Sequence, residues 1–578
     1  MLKKVYVPEY IYSGIKHNDR CYPKRLTFFG ADFETVDGEP YTLTVCDKKL
    51  NPDIIFVNRN NVLDKFLNYF EPRCLSKQVN IVYFHNLQFD ISVLLIKYHK
   101  HFVGRNTLKI KYKDVYIEAV IGNITFARIM FDKNKKLFIY DSMAFIKGSL
   151  DNITKSLNLK VKKLERPKGL GEKKLKTKKF FDYIKTDAIA EYYLASWIIE
   201  QHRKYNIRIC VSISQFASRV FRHYFLYKWE RIKYPPKEVV EGSILSYHGG
   251  KNGFYLDSPT IVKNCVEIDI NSAYPYAMTK LPNFVSGRYV KVNKLVDKYE
   301  GIYKISGRLK DCKYKIIFDH NFKEIVGDFK DIWTTSYELK EAIRSKEIEI
   351  KKIEGYVWVE GKASHNPLRN PLKEFVENFW IKKESAKTYE EKIMNKLILN
   401  SLYGKFIQTT RIETDYLLTD DEGRPIKENS NSEYKAGGLF NPFIATLITG
   451  FVRAYLHKLE HKYNSIHSST DSIKTMDKIN KLPEGLGGLK KEVEGKCVIL
   501  RNKLYIHYDK NNNLKKYALH GFTGNINDLI KVVENKLNKY KIKRLLKVRE
   551  AMRQKLKPLV MTELEKELDI DFSKLKII

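Results

Sequence analysis

Six acidic side chains stand in contexts that could hold divalent cations against phosphate. In LTFFGADFET, Asp32 and Glu34 are two apart at the end of an apolar strand, so both carboxylates leave the same face. Two like charges so close need a cation or full solvation. In IVYFHNLQFDISVLL, Asp90 lies in an apolar segment where it could instead cap a helix; His85, Asn86 and Phe89 beside it could hydrogen-bond and stack on an unpaired base. FDYIKTDAIAEYYLASWI reads as an amphipathic helix with Tyr183 and Asp187 one turn apart on one face. Four carboxylates and a tyrosine are the inventory for two Mg²⁺ ions, an activated water and in-line attack on a phosphodiester.

A second set follows. VEIDINSAYPYAM puts Asp269 at the end of an alternating strand, before a turn that returns Tyr274 and Pro275 towards it; a capping aspartate and a core tyrosine would look the same. In KIMNKLILNSLYGKF, Lys396, Asn400 and Tyr403 fall at i, i+4 and i+7. That stripe of cation, amide and ring suits a nucleoside triphosphate, with Gly404 permitting close backbone approach, although an exposed helix face with a core tyrosine shares the pattern. HSSTDSIKTM sets Asp471 in a tight polar turn between strands, where it could meet Asp269. LRNKLYIHY offers Lys503 and Tyr505 on one strand face for a primer phosphate, and SYHGGKNGF offers paired glycines for backbone contact with DNA.

The elements that must position these residues read as alternating apolar strands and longer amphipathic stretches, a mixed α/β and α+β multi-domain architecture. At 578 residues the chain exceeds one core. The charge of +36, from 104 Lys and Arg against 68 Asp and Glu, favours a polyanionic partner, or records an AT-rich genome's lysine codons. Seven cysteines without a CxxC pair read as reduced structural thiols, and neither a signal core nor a membrane-spanning stretch is apparent. Lys160 to Lys179 reads as an exposed Lys-rich loop, Thr419 to Gly438 as an inserted hairpin with its tip at Asp421 to Pro425, and the chain from Asn527 on as one or two basic amphipathic helices.

Taken in order, DINSAYP, NKLILNSLYGKF and STDSI resemble motifs A, B and C of the family B DNA polymerases, and the earlier set resembles the DEDD exonuclease motifs in the version with a tyrosine in the third. SYHGG, LRNKLY and the short chain resemble the protein-primed branch found in small bacteriophages (podovirus type) and linear plasmids. The resemblance runs from about residue 25 to about residue 510. It implies an RNase H-like exonuclease domain (1–207), palm (208–282 and 441–528), fingers (371–407), thumb (529–578) and two insertions. The first insertion (283–370) would dock a terminal protein, and the second (408–440) would support strand displacement.

The resemblance also implies roles. Asp269 and Asp471 would hold the polymerase metals, and Asp32, Glu34, Asp90 and Asp187 the exonuclease metals, with Tyr183 orienting the attacking water. Tyr274 would exclude the ribose 2′-OH, Lys396 and Lys382 would meet the triphosphate, and Asn400, Tyr403 and Gly404 would line the nascent pair. Thr35, His85, Asn86 and Phe89 would hold a frayed 3′ end; Tyr247, Gly249 and Gly250 would serve strand transfer; Thr449, Arg453, Lys503 and Tyr505 would touch DNA. Ser469 replaces the first aspartate of the usual DTDS, which puts the strength of ion binding at motif C in question. The implied cofactor is Mg²⁺, two ions per site, with Mn²⁺ as a substitute. The partners are template and primer DNA, dNTPs, a terminal protein and a viral single-stranded-DNA-binding protein, in the cytoplasm of an infected bacterium or linear-plasmid host. A stand-alone 3′→5′ exonuclease would leave the second acidic set without purpose, and a non-catalytic single-strand binder would leave both.

Overall fold

Period-two apolar runs build two large sheets, and each sheet carries one acidic set. The computed structural model describes residues 5–6, 12–102, 106–165, 167, 177–361, 369–413, 416–419, 425–429 and 432–578. The first sheet has ten strands, in the order Pro425–Asn429, Tyr416–Thr419, Thr107–Tyr112, Val115–Val120, Phe126–Met130, Lys136–Asp141, Val79–Phe84, Leu26–Val36, Glu39–Cys46 and Asp53–Phe56. Along Leu26–Val36 the residues Phe29, Ala31 and Phe33 point into a core with Phe66, Phe70 and Phe84. Their alternates turn towards the helix Lys178–Lys204, where Phe28 stacks on Tyr192. Gly30 lets that helix approach, because a Cβ there would stand 2.2 Å from the Tyr192 backbone nitrogen. Thr177 caps the helix by accepting from Phe180 N–H, and a basic last turn complements its dipole.

The second sheet runs Asn252–Phe254, His467–Ser469, Ser472–Thr475, Thr260–Ile270, Leu489–Arg501, Leu504–Tyr508 and Leu514–Leu519, with Lys576–Ile577 pairing in parallel with Thr260–Ile270. The helix Pro442–Lys462 is buried on nearly every side, against the helices Ser336–Arg344, Lys237–Ser246 and Ala273–Thr279. A four-stranded antiparallel sheet (Gly287–Val292, Ile348–Glu360, Gly301–Leu309, Gly327–Thr335) has its own core around Tyr303, Ile305, Ile316 and Leu339. The helices Pro371–Glu384 and Tyr389–Ser401 pack on each other as a hairpin.

Each acidic strand is regular towards one neighbour and irregular towards the other. Leu26–Val36 keeps unbroken parallel register with Val79–Phe84, whereas Tyr41 is an extra residue between the pairs Glu34–Thr42 and Thr35–Pro40. Thr260–Ile270 keeps register with Ser472–Thr475, whereas Glu492 is extra between Glu267–Val493 and Ile268–Lys491. Both bulges sit beside the acids.

The C-terminal region departs from its expected helices. It holds the helix Ile526–Glu534, then the strands Lys539–Leu545 and Met561–Glu567 paired antiparallel, with the short helix Val548–Arg553 between them. KYKIKRL and MTELEKE alternate with period two, and pairs such as Lys543 and Glu563 (3.6 Å) face one another across the ladder, so strand periodicity overrides the looser helical spacing of Leu and Val. The strands Tyr416–Thr419 and Pro425–Asn429 pair antiparallel, while the tip at 420–424 lies outside the described residues. Of the Lys160 to Lys179 run, residues 166 and 168–176 lie outside them too. All seven cysteines are free, and among the described residues no helix is long and apolar enough to cross a membrane.

Candidate active sites

The first acidic cluster forms where Leu26–Val36 outruns its neighbour. Parallel pairing with Val79–Phe84 stops at Gly30, and the Phe33 N–H beyond it donates to Asp90 Oδ1 at 3.1 Å. Asp90 stands on the helix Leu87–Leu94 and is buried. From the opposite side Lys178–Lys204 brings buried Tyr183 and Asp187 to the face that carries Asp32 and Glu34. Burial lifts the Asp32 carboxyl well above the usual range, Glu34, Asp90 and Asp187 push it further, and Lys163 opposes them. Burial likewise raises Asp90. The predicted carboxylates are therefore one electrostatic unit, a charge deficit that hard divalent cations would relieve.

Two members of this neighbourhood escaped the sequence reading. Lys163 Nζ stands 3.0 Å from Asp187 Oδ2, and nothing in a lysine-rich run singles it out. Glu191, one turn after Asp187, is buried and accepts from Ser142 Oγ at 3.1 Å; the i+4 spacing was its available signal. His85 is turned inward, away from its expected DNA contact. Its Nδ1 lies 2.9 Å from Ser142 Oγ and its Nε2 2.9 Å from Gly148 O, so both nitrogens are committed to the protein. Asn86, left-handed at φ 67°, and Phe89 do line an open groove, of about 180 Å³, together with Ile121, Leu546 and Arg549. Thr35 is half-buried at the bulge.

The second cluster lies at one end of the other sheet. Asp269 pairs with Ser472, and Ile270 N–H donates to Asp471 O at 2.9 Å, which fixes Asp269, near the end of its strand, beside Asp471 in the turn that enters Ser472–Thr475. They share a cavity of about 500 Å³ with Tyr274, Lys383, Lys392, Lys396, Asn400, Tyr403 and Lys490. Burial and then Asp269 raise the Asp471 carboxyl to about 6. Burial also raises Asp269, opposed by Lys490, whose Nζ is 3.5 Å away. Tyr274 and Tyr403 stack with centroids 4.1 Å apart and planes 6° from parallel. A Cβ at Gly404 would meet nothing within 4 Å, so open space flanks that backbone.

The SYHGG segment is bolted to this cavity. Thr470 N–H donates to Lys251 O at 2.8 Å, and a Cβ on Gly250 would stand 2.6 Å from Thr470 Cγ2. The next strand, Asn252–Phe254, pairs with His467–Ser469. Gly249 is exposed, and Tyr247 is half-buried.

Several expected contacts are corrected. Lys382 lines a separate groove, with its ammonium over Phe379; Lys383, about 100° further round the helix, lines the cavity. Thr449 and Arg453 are sealed inside the protein. Arg453 donates to Glu338 Oε1 at 2.7 Å and to the carbonyls of His248 and Gly249 at 2.6 and 2.9 Å, so it holds the SYHGG segment from behind instead of touching DNA. Helical spacing reveals neighbours along a helix but not whether other elements cover every face. Tyr505 is buried under Lys474, whose Nζ is 3.9 Å from the ring centroid, and Lys503 lies in the preceding turn at φ 55°, off the strand.

The chain is similar to known polymerases in sequence and in fold. A family model described as DNA polymerase type B, organellar and viral, matches residues 164–481. The DNA polymerase of Streptococcus phage Cp-1 is 23% identical over 529 residues, covering 83% of this chain and 88% of that one. The DNA-directed DNA polymerase of Enterobacteria phage PRD1 is 26% identical over 284 residues, 44% of this chain, and the match spans about half, 48%, of that relative's length. Phi29 DNA polymerase in an orthorhombic crystal form superposes with a TM-score of 0.69 at 17% identity, covering 94% of this chain and 100% of the other.

Proposed function

The chain belongs to the type B DNA polymerases of organelles and viruses, and from that premise we propose that it is a protein-primed, strand-displacing DNA-directed DNA polymerase with a proofreading 3′→5′ exonuclease. The observation that carries the synthetic half is the cavity in which Asp269, on its strand, and Asp471, in the turn that enters the neighbouring strand, face three lysines of the helical hairpin, Lys383, Lys392 and Lys396. Acids on one wall and cations on the other suit a metal-bound triphosphate. A stand-alone exonuclease would have no use for it.

The donor set fits divalent cations, because both acids offer hard oxygens and crowd each other's charge. Mg²⁺, two ions at Asp269 and Asp471 and two at Asp32, Glu34, Asp90 and Asp187, would supply charge neutralisation and a lowered pKa for the attacking oxygen. The lysines of the hairpin grip the phosphates, with Lys396 nearest its assigned role. Tyr274, clamped by its stack on Tyr403, closes the space a ribose 2′-OH would need, and Asn400 and Tyr403 border the nascent pair. At the other cluster Tyr183 orients water against the terminal phosphodiester, and Lys163 holds Asp187.

On this reading residues 1–207 proofread, 208–282 and 441–528 form the palm, 371–407 the fingers and 529–578 the thumb. Segments 283–370 and 408–440 serve the terminal protein and strand displacement. Primer, template and dNTPs are supported as partners by likeness to phi29 DNA polymerase, solved with primer-template DNA and incoming nucleotides. The relatives' phage origin supports a place in an infected bacterium's cytoplasm, with a viral single-stranded-DNA-binding protein at work beside it. The test is incubation with labelled dATP, Mg²⁺ and the candidate primer protein of the same genome. A covalent protein–nucleotide product is expected; extension of a DNA primer without that product would remove protein priming and keep the polymerase.

A further inference from the structure

Outside both acidic clusters, a third group of side chains converges from segments far apart in sequence. His457 and His461 stand one turn apart near the end of the helix Pro442–Lys462, and Glu347 reaches them from the turn that enters Ile348–Glu360. One ligand atom from each lies within 4.8 Å of the other two. His457 Nε2 is 2.7 Å and His461 Nε2 3.6 Å from the same oxygen, Glu347 Oε1. His457 Nε2 is buried, and Glu347 is the acid that closes on it. Ligands of one ion crowd together in this way.

The second nitrogen of His457 strengthens the case. Its Nδ1 is 3.1 Å from Glu341 Oε1, and Glu341 is itself gripped by Arg344, whose Nε donates to Oε2 at 2.9 Å. A carboxylate on the remote nitrogen holds a proton there and so frees Nε2 to serve an ion, the arrangement found behind metal-bound imidazoles. The His457 and Glu347 side chains are 0% and 4% exposed, whereas His461 is 39% exposed and leaves a way in from solvent.

We propose that Glu347, His457 and His461 bind a transition-metal ion of the zinc class. Two imidazoles and one carboxylate favour Zn²⁺, Co²⁺ or Ni²⁺ over Mg²⁺, and three protein ligands leave a fourth position for water. The ion joins the four-stranded unit to the long helix, two regions that otherwise meet through packing and ion pairs. It stabilises the fold without entering nucleotide chemistry.

The full-length protein, stripped with a chelator and held in excess Mg²⁺, is titrated with Co²⁺ while visible absorption is followed. One equivalent should bind with a ligand-field spectrum, Zn²⁺ should displace it, and Zn²⁺ should raise the melting temperature. His461→Ala, at the exposed ligand, should melt as the wild type does without metal, weaken Co²⁺ binding roughly tenfold or more, and lose the Zn²⁺-dependent rise. Glu347→Gln should weaken binding similarly. Equal Co²⁺ spectra and affinities in wild type and His461→Ala would overturn the proposal by putting the metal elsewhere. No binding by the wild type would overturn it too, leaving a proton between His457 and Glu347.

Discussion

The two acidic clusters solve opposite electrostatic problems. Around Asp32 four carboxylates, its own included, and Glu191 crowd between a sheet and a helix, and among the described residues Lys163 is the cation in contact with them. Around Asp269 and Asp471 the cavity carries four lysines for two acids. The first cluster is built to want cations; the second has spare positive charge for a polyanionic substrate. A trimming site engages one phosphodiester, whereas a synthetic site must also neutralise a triphosphate, and the balance of side chains follows that difference.

The sharpest way to break this comparison is to disable one cluster at a time. Asp471→Ala should lower primer extension by a factor on the order of 10³ or more and leave degradation of single strands intact; Asp32→Ala should do the reverse. Equal damage to both activities by each change would merge the two centres into one. Next in size, Lys383→Ala should raise the KM for dNTPs by roughly tenfold in steady-state extension, while Lys382→Ala should leave it within about twofold. The reverse ranking would put the cavity on the wrong face of the hairpin.

A pH series probes the same contrast. Asp471 titrates near 6, so protons compete with metal below that point. The Mg²⁺ concentration giving half-maximal synthesis should climb by up to about tenfold per unit below pH 6. The smallest effect is on stability. With Asp32 and Asp90 raised by burial, these two groups in the metal-free folded protein hold more protons than they do in the unfolded chain, where carboxyls titrate near 4. Their contribution to stability should therefore fall as pH rises from about 4 through the raised values. Asp32→Asn, measured by calorimetry in chelator at neutral pH, should melt about 2–4 °C higher than wild type. A lower melting temperature would mean that the charges are already balanced without metal.

Much of both clusters was legible because it rests on short-range periodicity. Asp32 and Glu34 alternate along a strand, Tyr183 and Asp187 share a helix turn, and Lys396, Asn400 and Tyr403 line one cavity as their stripe predicts. What stayed hidden depends on coverage by distant elements. Arg453 looks like a surface cation until helices and the SYHGG segment close over it, and Lys163 looks like one lysine among many until it meets Asp187. The shift from Lys382 to Lys383 is a single helical step, smaller than spacing alone resolves. In the C-terminal hairpin, period-two alternation of charge and apolar residues coexists with a helical spacing of Leu and Val, and pairing across the ladder decides between them.

The extra residues at Tyr41 and Glu492 carry an implication for how this molecule can drift in evolution. Neither strand carries one of the six acids, yet the extra residue in each increases the twist beside them. Losing one residue from either neighbour would re-index its ladder and turn its following side chains to the opposite face, a change no compensating point mutation could undo. Tolerance of insertions and deletions should therefore drop abruptly along Glu39–Cys46 and Leu489–Arg501, even where every single amino-acid exchange is accepted.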